Sequence, residues 1–213
     1  MRSIVSTYGF FYLIFIFALS LIFLKSTHSY FTDSVSSSNN VFSAAEEFSC
    51  VSCPVNPGDV LINEISPEGT SGAEFVEIFN KTGNPVNVSG WKLFGNVASP
   101  IPLPSVSPIP ANGYGVIVAS SSFVSVPVSA IKIQLPGTIF GGLSVSGDRL
   151  KISLTDNTEI DKISWGSDIT NLSPAPSVPV ASKTLSRRPN GVDTDASIDW
   201  VNNATPSAGL VNP

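Results

Sequence analysis

The chain has 213 residues, which is enough for one ordinary domain with tails or for two very small ones. Its 16 acidic and 11 basic residues give a formal net charge of −5. An acidic body repels phosphate backbones, so we expect no nucleic acid as the main partner. One histidine and two cysteines exclude most zinc sites and any catalytic site that needs a histidine inside the fold.

The amino end contains a long apolar run without charge. Residues 8–24 read YGFFYLIFIFALSLIFL, and Arg2 and Lys25 flank them, which is typical of a secretory signal peptide or a short membrane anchor. We therefore expect residues 1–29 to direct export. Two outcomes stay open, namely cleavage of this segment or its retention with residues 8–24 in the membrane.

A polar segment follows. Residues 30–57 are rich in Ser and Asn and predict a flexible spacer. Cys50 and Cys53 lie in it as CVSC, and in an oxidising compartment they favour a small local disulfide or a link between chains. Both arrangements stay open. A metal site would need further ligands, and none lies nearby in the sequence.

Short strand-like runs alternate with turn residues from residue 58 onward. The predicted strands are 60–65, 74–79, 86–93, 114–118 and 131–135, followed by a hairpin of 150–154 with 160–165. Ser89 and Gly90 shift the phase of the third run by one residue, which predicts a β-bulge. The 16 glycines and 17 prolines favour a loop-rich β domain over a helical one.

Strands of this length and spacing predict one antiparallel β-sandwich over residues 58–213. We divide it into a core, 58–166, and a C-terminal extension, 167–213. A few large apolar side chains should dominate its interior, since a buried Trp or Phe removes about 150–250 Å² of surface. The positions predicted to point inward are Phe75, Ile78, Trp91, Leu93, Ile152, Leu154 and Trp165.

An ordered set of motifs runs through this body: INEI (62–65), EFVEIFN (74–80), VNVSGWKL (86–93), PANGYGVIV (110–118), LSVSGDRLKISLTD (143–156), DKISWG (161–166), LSRRPNGVDTD (185–195), Asp199-Trp200 and ATPSAGLVNP (204–213). Together they resemble the lamin tail domain in its bacterial and archaeal form. The resemblance implies an immunoglobulin-like β-sandwich used for attachment on exported proteins, without catalytic residues common to the family. In addition, SYFTDSVSSSNNVFSA (29–44) resembles the leader of biofilm-matrix fibre proteins and camelysins.

Three glutamates are candidate catalytic or cation-binding groups: Glu64, Glu74 and Glu77. Paired carboxylates can transfer protons or hold a cation. Glu74 and Glu77 are three residues apart, so they point to opposite faces of a regular strand. We therefore favour structural roles, with Glu64 and Glu74 bonded to backbone amides at strand ends and Glu77 facing solvent.

A second acidic group consists of Asp193, Asp195 and Asp199. It is the best cation candidate, because Ca²⁺ takes several oxygen ligands from flexible loops. It lacks the spacing of an EF-hand, and we favour an Asx-rich turn before the last strand, while calcium binding stays open.

Lys183, Arg187 and Arg188 form the one basic cluster visible in the sequence. Three positive charges could dock an anionic polymer. We favour a solvated edge strand, because charges on an edge strand discourage pairing with other chains.

The sequence therefore predicts an exported, non-enzymatic attachment module at the cell surface, either membrane-anchored or secreted. Its expected partner is another surface protein or a cell-envelope polymer, and no cofactor or metal is predicted. Two alternatives stay open. One is an accessory or metal-dependent hydrolase that uses Glu64, Glu77 or the Asp193–Asp199 carboxylates, and the other is a structural subunit of a surface fibre.

Overall fold

The computed structural model describes residues 54–67, 74–119, 124–180 and 182–213. The predicted signal or anchor segment, most of the spacer, Cys50 and Cys53 lie outside the described residues. Within the described part of the chain, no helix is long and apolar enough to cross a membrane.

Strands and one short 3₁₀ turn account for the regular structure of the described residues. The strands are β1 (Val60–Ser66), β2 (Phe75–Asn80), β3 (Lys92–Phe94), β4 (Ile101–Pro102), β5 (Tyr114–Val118), β6 (Ile131–Gln134), β7 (Gly147–Ser153), β8 (Glu159–Gly166), β9 (Thr184–Arg187) and β10 (Trp200–Ala204), and the 3₁₀ turn is Ser197–Asp199. A six-stranded sheet has the order β10-β9-β1-β2-β5-β6, and a four-stranded sheet has the order β4-β3-β7-β8. Apolar side chains from both sheets share one core cluster, which confirms the predicted all-β sandwich.

One pairing differs from the predicted antiparallel arrangement. β6 runs parallel to β5, with Ile131 opposite Gly115 and Gln134 opposite Val118. Parallel strands need a crossover of about a dozen residues, because a hairpin can only join antiparallel strands. The connection 119–130 provides that length.

The predicted third strand is shorter than expected. Val86 forms only an isolated bridge with Ile109, and the strand itself is limited to β3. The predicted bulge at Ser89 and Gly90 is instead a turn, because the Trp91 amide donates to the Val88 carbonyl at 3.1 Å. Gly90 has a φ of 78°, which glycine adopts without strain.

Most of the predicted inward positions belong to the shared core: Ile78, Trp91, Leu93, Ile152 and Trp165. Leu154 is half-buried and packs against this cluster. The prediction for Phe75 is wrong. Since Phe75 and Ile78 are three residues apart in one strand, they face opposite sides of the sheet. Phe75 packs with Val116 and Val118 in a separate cluster.

Candidate functional site

A bulge in β1 brings two carboxylates side by side. Ile62 lies opposite Ile78, but Glu64 lies opposite Glu77, so Asn63 is an extra residue in β1. Glu64 and Glu77 are both fully buried. They lie on the outer side of the six-stranded sheet, away from the shared core. The prediction that Glu77 faces solvent is therefore wrong.

Residues 205–213, which we call the C-terminal segment, cover these carboxylates. The Ser207 amide donates to both carboxylate oxygens of Glu64 at 3.1 Å, and its hydroxyl donates to Oε2 at 2.9 Å. The Gly209 amide donates to Glu77 Oε2 at 2.6 Å. Gly209 has a φ of 80°, and a Cβ there would lie 2.6 Å from Cδ of Pro127. Only glycine fits this approach without a shift.

Neighbouring strands supply the remaining donors. The Thr184 hydroxyl donates to Glu64 Oε1 at 2.6 Å, and the Asn63 side-chain amide donates to Glu77 Oε1 at 2.7 Å. In the C-terminal segment, the Asn212 side-chain amide donates to the carbonyls of Asn63 and Arg187 at 3.0 and 2.9 Å. The two carboxylates thus join β1, β2 and β9 to the C-terminal segment. The bond from the Ser207 amide confirms the predicted contact of Glu64 with a backbone amide, but sequence reasoning did not foresee the rest of this network.

Burial changes the acidity of both groups. Loss of hydration raises the pKa of Glu77 to about 8, against hydrogen bonds from Asn63 and Gly209 that lower it. Burial also raises the pKa of Glu64. A raised carboxyl pKa is often found at catalytic sites, and it equally accompanies structural burial. Here both carboxyl groups are enclosed and receive hydrogen bonds from the protein, which favours the structural interpretation.

The raised pKa of Glu77 predicts a pH-dependent stability. Between about pH 4.5 and 8 the folded chain holds a proton at Glu77 that the unfolded chain releases. The free energy of unfolding should therefore fall as the pH rises through this window. The fall should amount to a few kcal/mol, since one pKa unit corresponds to about 1.4 kcal/mol.

Urea unfolding of the full chain at pH 5 and pH 8.5 measures this fall directly. Glu77→Gln removes the titrating group, so the variant should show a smaller difference between the two pH values. A residual difference of the same sign should remain, because burial raises the pKa of Glu64 and Asp161 as well. A variant with the full wild-type difference would contradict the assignment to Glu77.

Glu74 has a separate structural role. Its side chain is buried and accepts a hydrogen bond from the Leu143 backbone amide. This confirms the predicted contact with a backbone amide. It also places Glu74 in contacts different from those of Glu64 and Glu77.

The two arginines of the predicted basic cluster have different environments in the structure. Arg188 is exposed, whereas Arg187 is buried with 1% of its surface accessible. β9 lies between β10 and β1, so the prediction of a solvated edge strand is wrong. The Arg187 guanidinium donates to the Ile62 carbonyl at 2.8 Å and to Asp161 Oδ2 at 3.1 Å. It also lies 4.6 Å from the centre of the Trp200 ring.

The Asp193–Asp199 loop surrounds the same guanidinium. Asp193 Oδ1 accepts from Arg187 at 2.9 Å and from the Asp195 amide at 3.1 Å, which forms an Asx turn. Asp199 accepts from the amide and the hydroxyl of Thr194, both at 2.7 Å. These contacts confirm the predicted Asx-rich turn, and they place the Arg187 cation among the carboxylates. Among the described residues, no three His, Cys, Asp or Glu side chains are grouped so as to hold a metal ion.

Asp161 is the partner of Arg187 that sequence reasoning missed. It also accepts from the Ile62 amide at 2.7 Å, so it joins β8 of one sheet to β1 of the other. Burial raises the pKa of Asp161 to about 6, and the nearby Arg187 charge opposes that rise. At neutral pH the group is therefore a carboxylate paired with a buried cation.

These features define a two-sheet sandwich of the immunoglobulin-like class. The family model described as Lamin Tail Domain matches residues 54–167, which is more than half of the chain, and the chain belongs to this family. No curated protein matches it. The match spans β1 to β8, so Arg187 and the C-terminal segment lie beyond the matched residues.

Proposed function

We propose that the protein is a non-enzymatic attachment module of the prokaryotic exported type, which acts at the cell surface. It binds another surface protein or an envelope polymer and is either anchored or secreted. The apolar run at residues 8–24 supports export. The observation that carries the non-enzymatic role is that Glu64 and Glu77 are enclosed and hold the C-terminal segment in place.

Location is tested by fractionating the native cells. The full chain should be found with the envelope or in the medium, and protease added to intact cells should digest the envelope-bound form. Recovery of the chain in the cytoplasm alone, protected from protease, would overturn the proposal.

A hydrolase that uses Glu64 or Glu77 is the competing proposal. It requires a substrate to reach carboxyl groups that are fully buried and already accept hydrogen bonds from Ser207 and Gly209. The full chain should therefore show no hydrolysis on a panel of polysaccharides and nucleic acids. Hydrolysis by the wild type that is lost in a folded Glu64→Gln variant would establish the enzyme instead.

A further inference from the structure

Charge is distributed unequally between the interior and the surface. The described residues contain nine Lys or Arg and twelve Asp or Glu. Six of these acids are buried, whereas Arg187 is the only buried cation among them. The accessible charges are therefore eight positive and six negative. An acidic sequence thus has a weakly basic surface over its described residues, which weakens the argument from composition against anionic partners.

Four of these cations share one surface. Lys92 in β3, Arg149 and Lys151 in β7, and Lys162 in β8 lie on the outer side of the four-stranded sheet, and we call this surface the basic face. Their orientation follows from strand alternation, because the intervening residues belong to the shared core: Leu93, Leu150, Ile152 and Ile163.

Two lysines of the basic face stand directly opposite each other. Lys151 pairs with Lys162 across β7 and β8. Like charges at directly opposite positions destabilise a sheet. Glu159, at 2.7 Å from the Lys162 ammonium, offsets part of this repulsion, and a bound anion would offset more of it.

The cations of the basic face differ in how far they are already neutralised. The Arg149 guanidinium is bound by Asp168 at 3.3 Å and by two neutral oxygens, and Lys162 lies 2.7 Å from Glu159. Lys151, in contrast, lies 4.5 Å from the centre of the Phe94 ring. A cleft of about 230 Å³ lies among these groups, and its lining contains the three cations Arg149, Lys151 and Lys162 together with Phe94 and one acid, Glu159.

We propose that the basic face binds a linear phosphate polymer without bases. This rests on the proposed attachment function and names the partner. Lysine ammonium groups bind phosphate as point charges, whereas planar carboxylates are matched best by a free arginine fork. The Arg149 guanidinium already donates hydrogen bonds to Asp168, Thr170 and Asn96, so it is not free to bind a carboxylate of a ligand.

Two features of the basic face argue against nucleic acid as its ligand. Duplex recognition uses a helix or a two-stranded ribbon that enters a groove, and the basic face is the side of a sheet. Single strands stack their bases on open aromatic rings. Lys151 covers the Phe94 ring of this face.

The test measures binding of long-chain inorganic polyphosphate to the full chain by titration calorimetry at 50 and 200 mM salt. The double variant Lys151→Gln/Lys162→Gln should bind at least about tenfold more weakly at low salt. Its slope of log K against log salt should be smaller by about 1.4, as about 0.7 is lost per phosphate contact in single-stranded backbones. Its melting temperature should stay close to that of the wild type, because removal of the like-charge pair is offset by loss of the Lys162–Glu159 ion pair and of the Lys151 contact with the Phe94 ring.

The matched control is Lys81→Gln/Lys132→Gln, which removes the same charge from exposed positions outside the basic face. It should retain binding within about threefold, because neither lysine belongs to the basic face and salt screens exposed charges. Equal losses in both double variants would overturn the proposal. Poly-glutamate or single-stranded DNA of equal charge binding as tightly as polyphosphate would also overturn it. Fractionation of the native cells tests the attachment function separately, so either proposal can fail alone.

Discussion

Arg187→Ala is expected to lower the free energy of unfolding by about 3–5 kcal/mol, as is typical when one partner of a buried ion pair is removed. The substitution leaves the Asp161 carboxylate buried without its cation. It also removes the hydrogen bond to the Ile62 carbonyl and the contact with the Trp200 ring. Since domains are stable by only about 5–15 kcal/mol, the variant should lose a large share of its stability.

Urea unfolding of the full chain measures this effect, with Arg188→Ala as the control. Arg188 is exposed and adjacent in sequence, so its replacement should change stability by no more than about 0.5 kcal/mol. If the Arg187→Ala variant unfolds at the wild-type urea concentration, the buried ion pair does not contribute as described. The same conclusion holds if Arg188→Ala is the more damaging change.

Trp91→Ala should lower the free energy of unfolding by a similar amount, about 3–5 kcal/mol. Trp91 is 5% exposed and belongs to the shared core, where truncation to Ala would leave a cavity. Its neighbour Lys92 is half-buried and lies on the basic face. Lys92→Ala should change stability by about 0.5 kcal/mol or less.

The same unfolding measurement on both variants tests the phase of β3. Side chains alternate between the two faces of a strand, so a slip of one residue would exchange the two outcomes. A stable Trp91→Ala variant beside a damaged Lys92→Ala variant would show that the strand is placed one residue out of phase.

The alternation of apolar and polar residues was sufficient to predict the strands that have a strong local pattern. β7 alternates apolar and polar residues over 150–153 and a short turn joins it to β8, so both the strand type and the pairing could be predicted. The parallel pairing of β6 could not, because it depends on a crossover and not on local pattern. The turn at Ser89 and Gly90 could not be distinguished from a bulge by its sequence either, since bulges and turns favour similar residues.

The environment of the carboxylates also lay beyond sequence reasoning. The bulge at Asn63 turns Glu64 toward Glu77, and a one-residue change of register moves a side chain to the other face. The groups that bury Glu77 come from the C-terminal segment, more than a hundred residues away in sequence. Arg187 likewise has acidic partners on separate elements, and no local signal distinguishes it from Arg188.

The net charge of the sequence was a misleading guide to the charge of its partner, for a related reason. The sum over the sequence treats every charge alike, but the fold buries six acids and one cation among the described residues. Over the described residues, the accessible charges therefore differ in sign from the net charge of the sequence. Only the positions of the strands show that Lys92, Lys151 and Lys162 share one face.

Attachment to the cell surface is tested most directly by sedimenting the full chain with envelopes from the native cells over a range of protein concentrations. We expect saturable binding that weakens with increasing salt, because exposed charges on the basic face would be screened. A chain that stays in the supernatant at every concentration, or whose bound amount rises without saturation, would contradict the role of an attachment module.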